Sequence, residues 1–427
     1  MTSITVPLRS AVPVYGALLS VLVFQNIFNT FSPYLTLAIN IAVATTLLIR
    51  HQLRFTPPAP IVVVSVYAVL AWMLLVTVFR GDAESQIVLK YFRTTLAVSL
   101  FALIFGSCRI PASSVVKAIN FALGFHILLV MLQLALPDLT MITAPVFGFE
   151  REMTIFETYT LRKLGASSSY DTASLLSIAA LLFFYFQFKQ GKGSMYFLMA
   201  AVAFVATLMS SRTGMALSFL VAIALFLQAI LKARLIWKLV IVFGFAGFLV
   251  AMYITLFPLL LQTLGLTELQ SDDASFVFAA TDYGTTGTLV ALTEDHLKPL
   301  DQPLSGLIIG FGVDPNTIGL ETDIGYVKLI YHVGIVGTLV ILFTHLYMLI
   351  ATYMFAGASV RDSDRALIAR FLFALIAISL AFNYKSLELH SRGIGDFIYM
   401  LFLFLASGRG IRGGSGNPSN KKAQVHS

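Results

Sequence analysis

Basic side chains beside hydroxyls and glycines are the residues of this sequence best suited to chemistry. Arg212 lies in Ser210-Ser-Arg-Thr-Gly214, a turn so short that the apolar stretches on either side of it must nearly touch. The turn offers hydroxyls, backbone N–H groups and a helix N-terminus around one guanidinium, a set that suits an anion, phosphate above all. Arg162 and Lys163 precede Gly165 in a second such segment. We predict Arg212 as catalytic and Arg162 as substrate-binding.

Further cationic groups lie near the ends of apolar stretches. Lys90 and Arg93 are three residues apart and so share one face of a helix, and Arg80 ends the preceding stretch. His390 and Arg392 lie together in a short later loop. We predict all five as substrate-binding residues. Snorkelling of Arg and Lys side chains to lipid headgroups is the alternative role for such positions.

A general base requires a carboxylate or an imidazole within reach of the proton that it removes. Asp323 directly precedes a long apolar stretch, and His296 lies in the charged run Thr293-Glu-Asp-His-Leu-Lys298. We predict Asp323 as the base and His296 as its rival. The alternatives are an N-cap role for Asp323 and a merely solvated loop for His296. His126 and His345 fall within apolar stretches and are predicted to pack between helices.

We expect no metal and no cofactor. The single cysteine, Cys108, excludes a disulfide framework and a cysteine metal cluster. The sequence contains no zinc signature, Walker loop or dinucleotide fingerprint, and Gly310-Phe-Gly312 is too short to count as one.

Membrane-spanning helices must position these residues. Of the 427 residues, 58% are hydrophobic and 11% are charged, whereas a soluble domain carries about 25% charged residues. Because so few charges cannot cover a soluble protein, lipid must solvate much of the surface. No cleavable signal follows Arg9, so we expect the first span to be retained.

The sequence predicts an all-α, polytopic integral membrane protein. A spanning helix needs about 20 apolar residues, and such windows predict about 12 transmembrane helices in one domain, 1–407. We expect long extracytoplasmic loops at 137–170 and at 258–324, the second between helices 9 and 10, and a disordered cytoplasmic tail at 408–427. Apolar pieces of the second loop are predicted to form short helices or re-entrant segments. The predicted spans are 11–29, 33–50, 60–79, 91–107, 113–136, 171–188, 194–210, 213–231, 236–257, 325–355, 366–382 and 395–407.

The distribution of charge predicts the orientation. With the N-terminus inside and the spans alternating, 17 of the 28 lysines and arginines fall in inside segments, whereas only Asp362 and Asp364 of the 21 acidic residues do. This asymmetry follows the positive-inside rule and predicts that both termini are cytoplasmic. The net charge of +7 therefore indicates topology rather than a nucleic-acid partner.

The order of four short segments resembles the O-antigen polymerase and O-antigen ligase superfamily of bacterial envelope glycan assembly. The segments extend from about 160 to 340, and the pattern of spans covers the rest of the chain. They are Arg162-x-x-Gly165 with Asp171 at the mouth of the next span, Ser210-Ser-Arg-Thr-Gly214, Gly310-Phe-Gly312, and Asp323-Ile-Gly-Tyr326 followed by Tyr331-His-Val-Gly-Ile-Val-Gly337.

The resemblance implies a helical glycosyltransferase of the bacterial inner membrane whose donor is a glycan on a polyprenyl diphosphate. An acceptor sugar hydroxyl would displace the lipid diphosphate, whose charge Arg212, Arg162 and Arg93 would stabilise without a metal. A flippase and a chain-length regulator are the protein partners that it implies. Ligases of the superfamily carry a histidine where this chain has Asp323, so we expect a polymerase, and His332 lies too far into the span to replace that histidine.

Two alternatives remain open. A ligase would share the donor site but transfer a finished glycan to a lipid or protein acceptor. A secondary transporter would instead contain ionisable residues at mid-depth and broken helices in paired positions.

Overall fold

The computed structural model confirms the all-α class for the residues that it describes, where every regular element is a helix. The described residues are 12–28, 33–48, 59–81, 83–108, 110–147, 162–232, 302–320, 322, 324–358, 363–384, 387, 389 and 393–408. The helices are α1 (Val12–Phe28), α2 (Pro33–Leu48), α3 (Pro60–Arg80), α4 (Ser85–Ser107), α5 (Ala112–Ala135), α6 (Asp138–Val146), α7 (Tyr170–Lys189), α8 (Met195–Leu208), α9 (Arg212–Lys232), α10 (Leu304–Ile309), the 3-10 turn Pro315–Ile318, α11 (Gly325–Ala358), α12 (Ser363–Phe382) and α13 (Ile394–Ser407).

Six of the described helices, α3, α4, α5, α7, α11 and α12, are long and apolar enough to cross a membrane. Large apolar side chains on them face outward, among them Val78 and Phe343, as is typical of a surface that lipid solvates. These features indicate a multi-pass membrane protein. Helices α1, α2, α8, α9 and α13 lie at five more of the predicted spans, and the remaining one, 236–257, lies outside the described residues.

Helix α13 lies at the centre of the bundle. Its residues from Ile394 to Leu405 are all buried, and it contacts α1, α4, α11 and α12. A helix that is apolar on every face is stable only when other elements surround it.

Loops with the same predicted sidedness contact each other. At one end, Glu84 N–H donates to the carbonyl of Gly312 (2.8 Å), and Lys163 N–H donates to the carbonyl of Met209 (2.6 Å). At the opposite end, the Lys192 ammonium lies 2.5 Å from an Asp364 carboxylate oxygen. We call the first the predicted outer end, because the charge pattern predicts that its loops face outward.

The two long predicted loops are only partly described. The first, 137–170, contains α6 and a segment from 162 to 169 that packs on α5 and α7. The second, 258–324, is described from 302 onward apart from 321 and 323, and it contains the short helix α10, as predicted for its apolar pieces. The rest of that loop, and the tail beyond 408, lie outside the described residues.

Candidate functional site

The most unusual backbone at the predicted outer end is a break in α11 at Gly334, where φ is 69° and ψ is 177°. Only glycine adopts this conformation readily. The loop backbone fills the break: a Cβ on Gly334 would lie 2.3 Å from the carbonyl oxygen of Ile308, and a Cβ on Gly310 would lie 2.5 Å from the nitrogen of Gly334. Two glycines therefore allow the end of α10 to enter α11.

The break releases carbonyl groups from the helix, and neighbouring donors satisfy them. The indole N–H of Trp72 donates to the carbonyls of Val333 (2.8 Å) and Ile309 (3.2 Å). The N–H groups of Phe311 and Gly312 both donate to the carbonyl of Tyr331, at 2.8 and 3.0 Å. Since buried carbonyls require such partners, these bonds hold α10 and the loop after it in place.

Arg80, a predicted substrate-binding residue, lies on the edge of this docked loop. Its Nε donates to the carbonyl of Gly310 (3.2 Å), and its guanidinium lies 4.9 Å from the centre of the Phe311 ring. An open cleft of about 290 Å³ lies beside it, lined by Phe79, Arg80, Ser305 and Ile309. The cleft thus combines a cation and a hydroxyl with apolar walls.

Glu84 forms hydrogen bonds with the next part of the same loop, residues 314–317. Its carboxylate accepts from the N–H of Asp314 (3.2 Å) and from the hydroxyl of Thr317. The Asp314 carboxylate in turn accepts from the N–H of Asn316 (3.0 Å) and begins the 3-10 turn. The position of Asp314 is therefore fixed by bonds on both sides.

Asp314 faces His332, which lies two residues before the break at Gly334 in α11. An Asp314 carboxylate oxygen lies 3.8 Å from His332 Nε2, and the His332 side chain is only 2% exposed. Neither ring nitrogen of His332 has a hydrogen-bond partner among the described residues. The facing imidazole, aided by the N–H of Asn316, lowers the pKa of Asp314 to about 2. Its carboxyl group is therefore ionised at neutral pH.

A second polar segment, 162–166, occupies the same end. Gly165 N–H donates to Gln133 Oε1 (2.8 Å), Gln133 Nε2 donates back to the Gly165 carbonyl (3.3 Å), and the N–H of Ala166 donates to His126 Nδ1 (3.2 Å). The side chain of Lys163 is buried, and burial lowers its pKa to about 8. His126 Nε2 also lies 3.1 Å from the hydroxyl of Ser177 on α7, so His126 packs between α5 and α7, as predicted.

This second segment lies beside the turn that begins α9. The bond from Lys163 N–H to Met209 connects the two, and the hydroxyl of Ser174 donates to that of Ser211 (2.8 Å), which also accepts from the N–H of Gly214. The backbone thus brings the Arg162 and Arg212 segments together. Arg162 is half-buried; Arg212 begins α9, and its side chain lies outside what the structure describes.

Arg93 and Asp396 form a buried ion pair between α4 and α13, within hydrogen-bond contact. Charged groups inside a membrane protein are costly unless paired, and they often mark function. Arg93 Nη1 donates to Asp396 and Nη2 donates to the hydroxyl of Thr94 (3.2 Å), and substrate binding by Arg93 stays a prediction. The nearby Lys90 is half-buried on α4, close enough to His332 for its charge to act on the ring.

Of the nine predicted site residues, Arg80, Lys90, Arg93 and Arg162 are described in full. Asp323, His296, His390 and Arg392 lie outside the described residues, so the predicted base and its rival stay predictions. Within the described part of the chain, no group of three His, Cys, Asp or Glu residues could hold a metal ion.

Sequence reasoning missed four residues of this region: Trp72, Glu84, Asp314 as a fixed anion, and Asp396. Asp396 was detectable, because it is an acidic residue within a predicted span. The other three depend on contacts between α3, α4 and a loop more than 200 residues later, for which a single sequence gives no signal.

The comparisons with known proteins add no family assignment. No protein-family model matches this sequence, and no curated protein is similar enough to be a relative. The class that the fold defines is thus a helical, multi-pass membrane protein with a loop inserted into a broken helix.

Proposed function

We propose that the protein is a polymerase of a bacterial envelope polysaccharide. It is a glycosyltransferase whose donor is a glycan on a polyprenyl diphosphate, and it transfers the growing chain to an acceptor sugar hydroxyl at the outer face of the inner membrane. Both termini are then cytoplasmic, and a flippase and a chain-length regulator are the expected partners.

The observation that carries the proposal is the gathering of cationic segments at one end of an apolar bundle. Arg80 lies beside the cleft, and Arg162 and Lys163 lie beside the start of α9, both at the predicted outer end. Loss of a lipid diphosphate develops negative charge on the leaving oxygen, and guanidinium groups placed there stabilise that charge. Phe79 and Ile309, apolar walls of the cleft, provide a surface for the polyprenyl tail.

The direct test is chain extension by purified protein in proteoliposomes. The substrate is lipid-linked repeat unit extracted from membranes of the host, and the readout is product length on gels. We expect Arg80→Gln, Arg162→Gln and Arg212→Ala each to lower the initial rate by about tenfold or more, since each removes one cation from the leaving group. Lys192→Gln is the matched control, because it removes one cation at the opposite end.

The assay also separates the rival functions. No chain extension by folded wild-type protein on a verified donor contradicts the proposal, as do rates for the three arginine variants equal to that of Lys192→Gln. Transfer of the glycan to a lipid or protein acceptor, without lengthening, would instead identify a ligase.

A secondary transporter is the second candidate, favoured by two specific observations. Helix α11 is broken at Gly334, with α10 inserted there, and Arg93 and Asp396 are a charged pair inside the bundle. Broken helices and buried charges are features of transporter sites. Movement of a labelled lipid-linked glycan across proteoliposomes, without any new glycosidic bond, would establish this function.

The predicted orientation is tested by labelling introduced cysteines in intact cells. In a Cys108→Ala background, Ser305→Cys should react with a membrane-impermeant maleimide from outside, and Ser363→Cys should react only after the membrane is opened. The reverse pattern would remove the proposed site from the outer face.

A further inference from the structure

His332 is a buried imidazole whose two nitrogens lack hydrogen-bond partners among the described residues, although it is only 2% exposed. Buried polar groups in folded proteins are nearly always hydrogen-bonded, so a buried imidazole with no partner requires an explanation. His345, on the same helix, differs at one nitrogen: its Nδ1 lies 2.8 Å from the carbonyl of Ile341, and only its Nε2 lacks a partner among the described residues. The position of His332, where the loop enters α11, points to a chemical role.

The geometry around His332 fits a hydroxyl group. The 3.8 Å between Nε2 and the Asp314 carboxylate oxygen is too long for a direct hydrogen bond. One oxygen atom placed about 2.8 Å from each of the two atoms would donate its proton to one and remain close to the other. The Asp314 side chain is 33% exposed, so a hydroxyl can approach the pair from the loop side.

The charges around His332 suit a proton acceptor. Asp314 faces it from the loop, Tyr91 contacts it edge-on from α4, Lys90 lies on α4, and Lys328 lies one turn earlier on α11. The Asp314 carboxylate stabilises an imidazolium once it has formed. Lys90 and Lys328 are the cationic groups near the ring, and Asp314 is the anionic one.

We propose that His332, with Asp314 as the counter-ion, is the general base for the acceptor hydroxyl; this assignment rests on the proposed function. The hydroxyl oxygen attacks the anomeric carbon, and a new C–O bond forms. The bond from that carbon to the phosphate oxygen breaks, and its electron pair leaves with the lipid diphosphate. The hydroxyl proton moves to His332 Nε2 and later returns to water past the exposed side of Asp314.

The test uses full-length protein in the chain-extension assay over a range of pH. We expect His332→Gln to lower kcat about 10²–10⁴-fold with little change in KM for the donor, the range typical of a lost general base. The wild-type rate should fall at acid pH, where the ring is protonated, and His332→Gln should lack this acid limb. His345→Gln is the matched control, since it removes a buried imidazole from the same helix, and it should retain both the rate and the acid limb.

Asp314→Asn provides a second test of the base, which can be made even if His332→Gln does not fold. Its side-chain oxygen still accepts from Asn316, so the loop should remain in place, while the imidazolium loses its counter-charge. We expect a lower kcat and an acid limb displaced to lower pH.

Wild-type protein that forms no glycosidic bond overturns the proposed function and this assignment together. Active wild-type protein with either an unaltered pH profile in Asp314→Asn or a normal rate in folded His332→Gln overturns the base assignment alone.

Discussion

Two polar segments dock on the bundle at its predicted outer end, and they differ in how completely their polar groups are paired. In the segment around Gly165, Gln133 and His126 bond the backbone, and His126 Nε2 also lies 3.1 Å from the hydroxyl of Ser177. In the segment around Gly310, the backbone is just as well held, but His332 beside it has both ring nitrogens without a hydrogen bond.

This difference distinguishes a histidine that stabilises a loop from a histidine that is available to react. A buried imidazole whose nitrogens are both engaged, as in His126, fixes a loop. A buried imidazole such as His332, which lies next to an ionised carboxylate and makes no hydrogen bond with the described residues, can instead bind a ligand group. Substitutions of Gln133 or His126, which hold the first segment, should therefore affect stability, whereas substitutions of His332 should affect activity. The predictions below test this from the largest effect to the smallest.

The largest effect is expected for Gly334→Ala. The added Cβ would lie within 2.3–2.6 Å of the backbone from Ile308 to Gly310, and it would adopt a conformation that costs of order 1–3 kcal/mol before any clash. We expect loss of folded protein, measured by thermal unfolding in detergent and by size-exclusion chromatography. Gly357→Ala is the control, because no atom lies within 4 Å of that Cβ; equal melting of the two variants would refute the described packing.

Gln133→Leu should have the next largest effect. It leaves the buried N–H and carbonyl of Gly165 without partners, at a cost of about 2–4 kcal/mol in the free energy of unfolding. The kcat per folded molecule should be unchanged, because Gln133 bonds the backbone of the segment and adds no charge at the leaving group. A large fall in kcat with normal stability would show that the Gln133 side chain itself takes part in the reaction.

Lys163 should make stability depend on pH. Burial lowers its folded pKa to about 8, from the 10.5 of an exposed lysine, so between these values the unfolded chain binds more protons than the folded one. The free energy of unfolding should therefore rise as pH increases from about 8 to 10.5. Lys163→Met should flatten this slope, as measured by thermal unfolding over that range, and an unchanged slope would assign it to another group.

The smallest effect is expected at the opposite end of the bundle. Lys192 and Asp364 are partly exposed, 28% and 23%, and such pairs contribute about 0.2–1 kcal/mol. Asp364→Asn should shift thermal unfolding only slightly, and less at high salt, with no change in activity. A loss as large as that of Gln133→Leu would mean that the pair is far less solvated than described.

The sequence predicted those features that depend on one helix or one turn alone. Apolar length predicted the helices, and the short turn at Ser210 predicted that α8 and α9 lie side by side. Helix α4 begins at Ser85, six residues before the predicted start, because Ser85, Gln86 and Lys90 are polar and fall outside an apolar window. The break at Gly334 was not predictable, since a glycine within a helix costs only about 1 kcal/mol. What breaks the helix is the backbone of Gly310, which only the fold brings there.

The short helix α13 has a consequence for depth. Its 14 residues rise about 21 Å, whereas the hydrocarbon layer is about 30 Å thick. Its C-terminal end lies next to Arg365, at the end of the bundle where the predicted cytoplasmic loops meet. The part of the hydrocarbon layer that α13 does not span is therefore on the predicted outer side. With the predicted orientation, Asp396, although only three residues into the helix, would lie below the level of the outer headgroups. Arg93 accompanies it there, and a cationic ligand or a proton that reached this pair would have to enter the low-dielectric part of the membrane to do so.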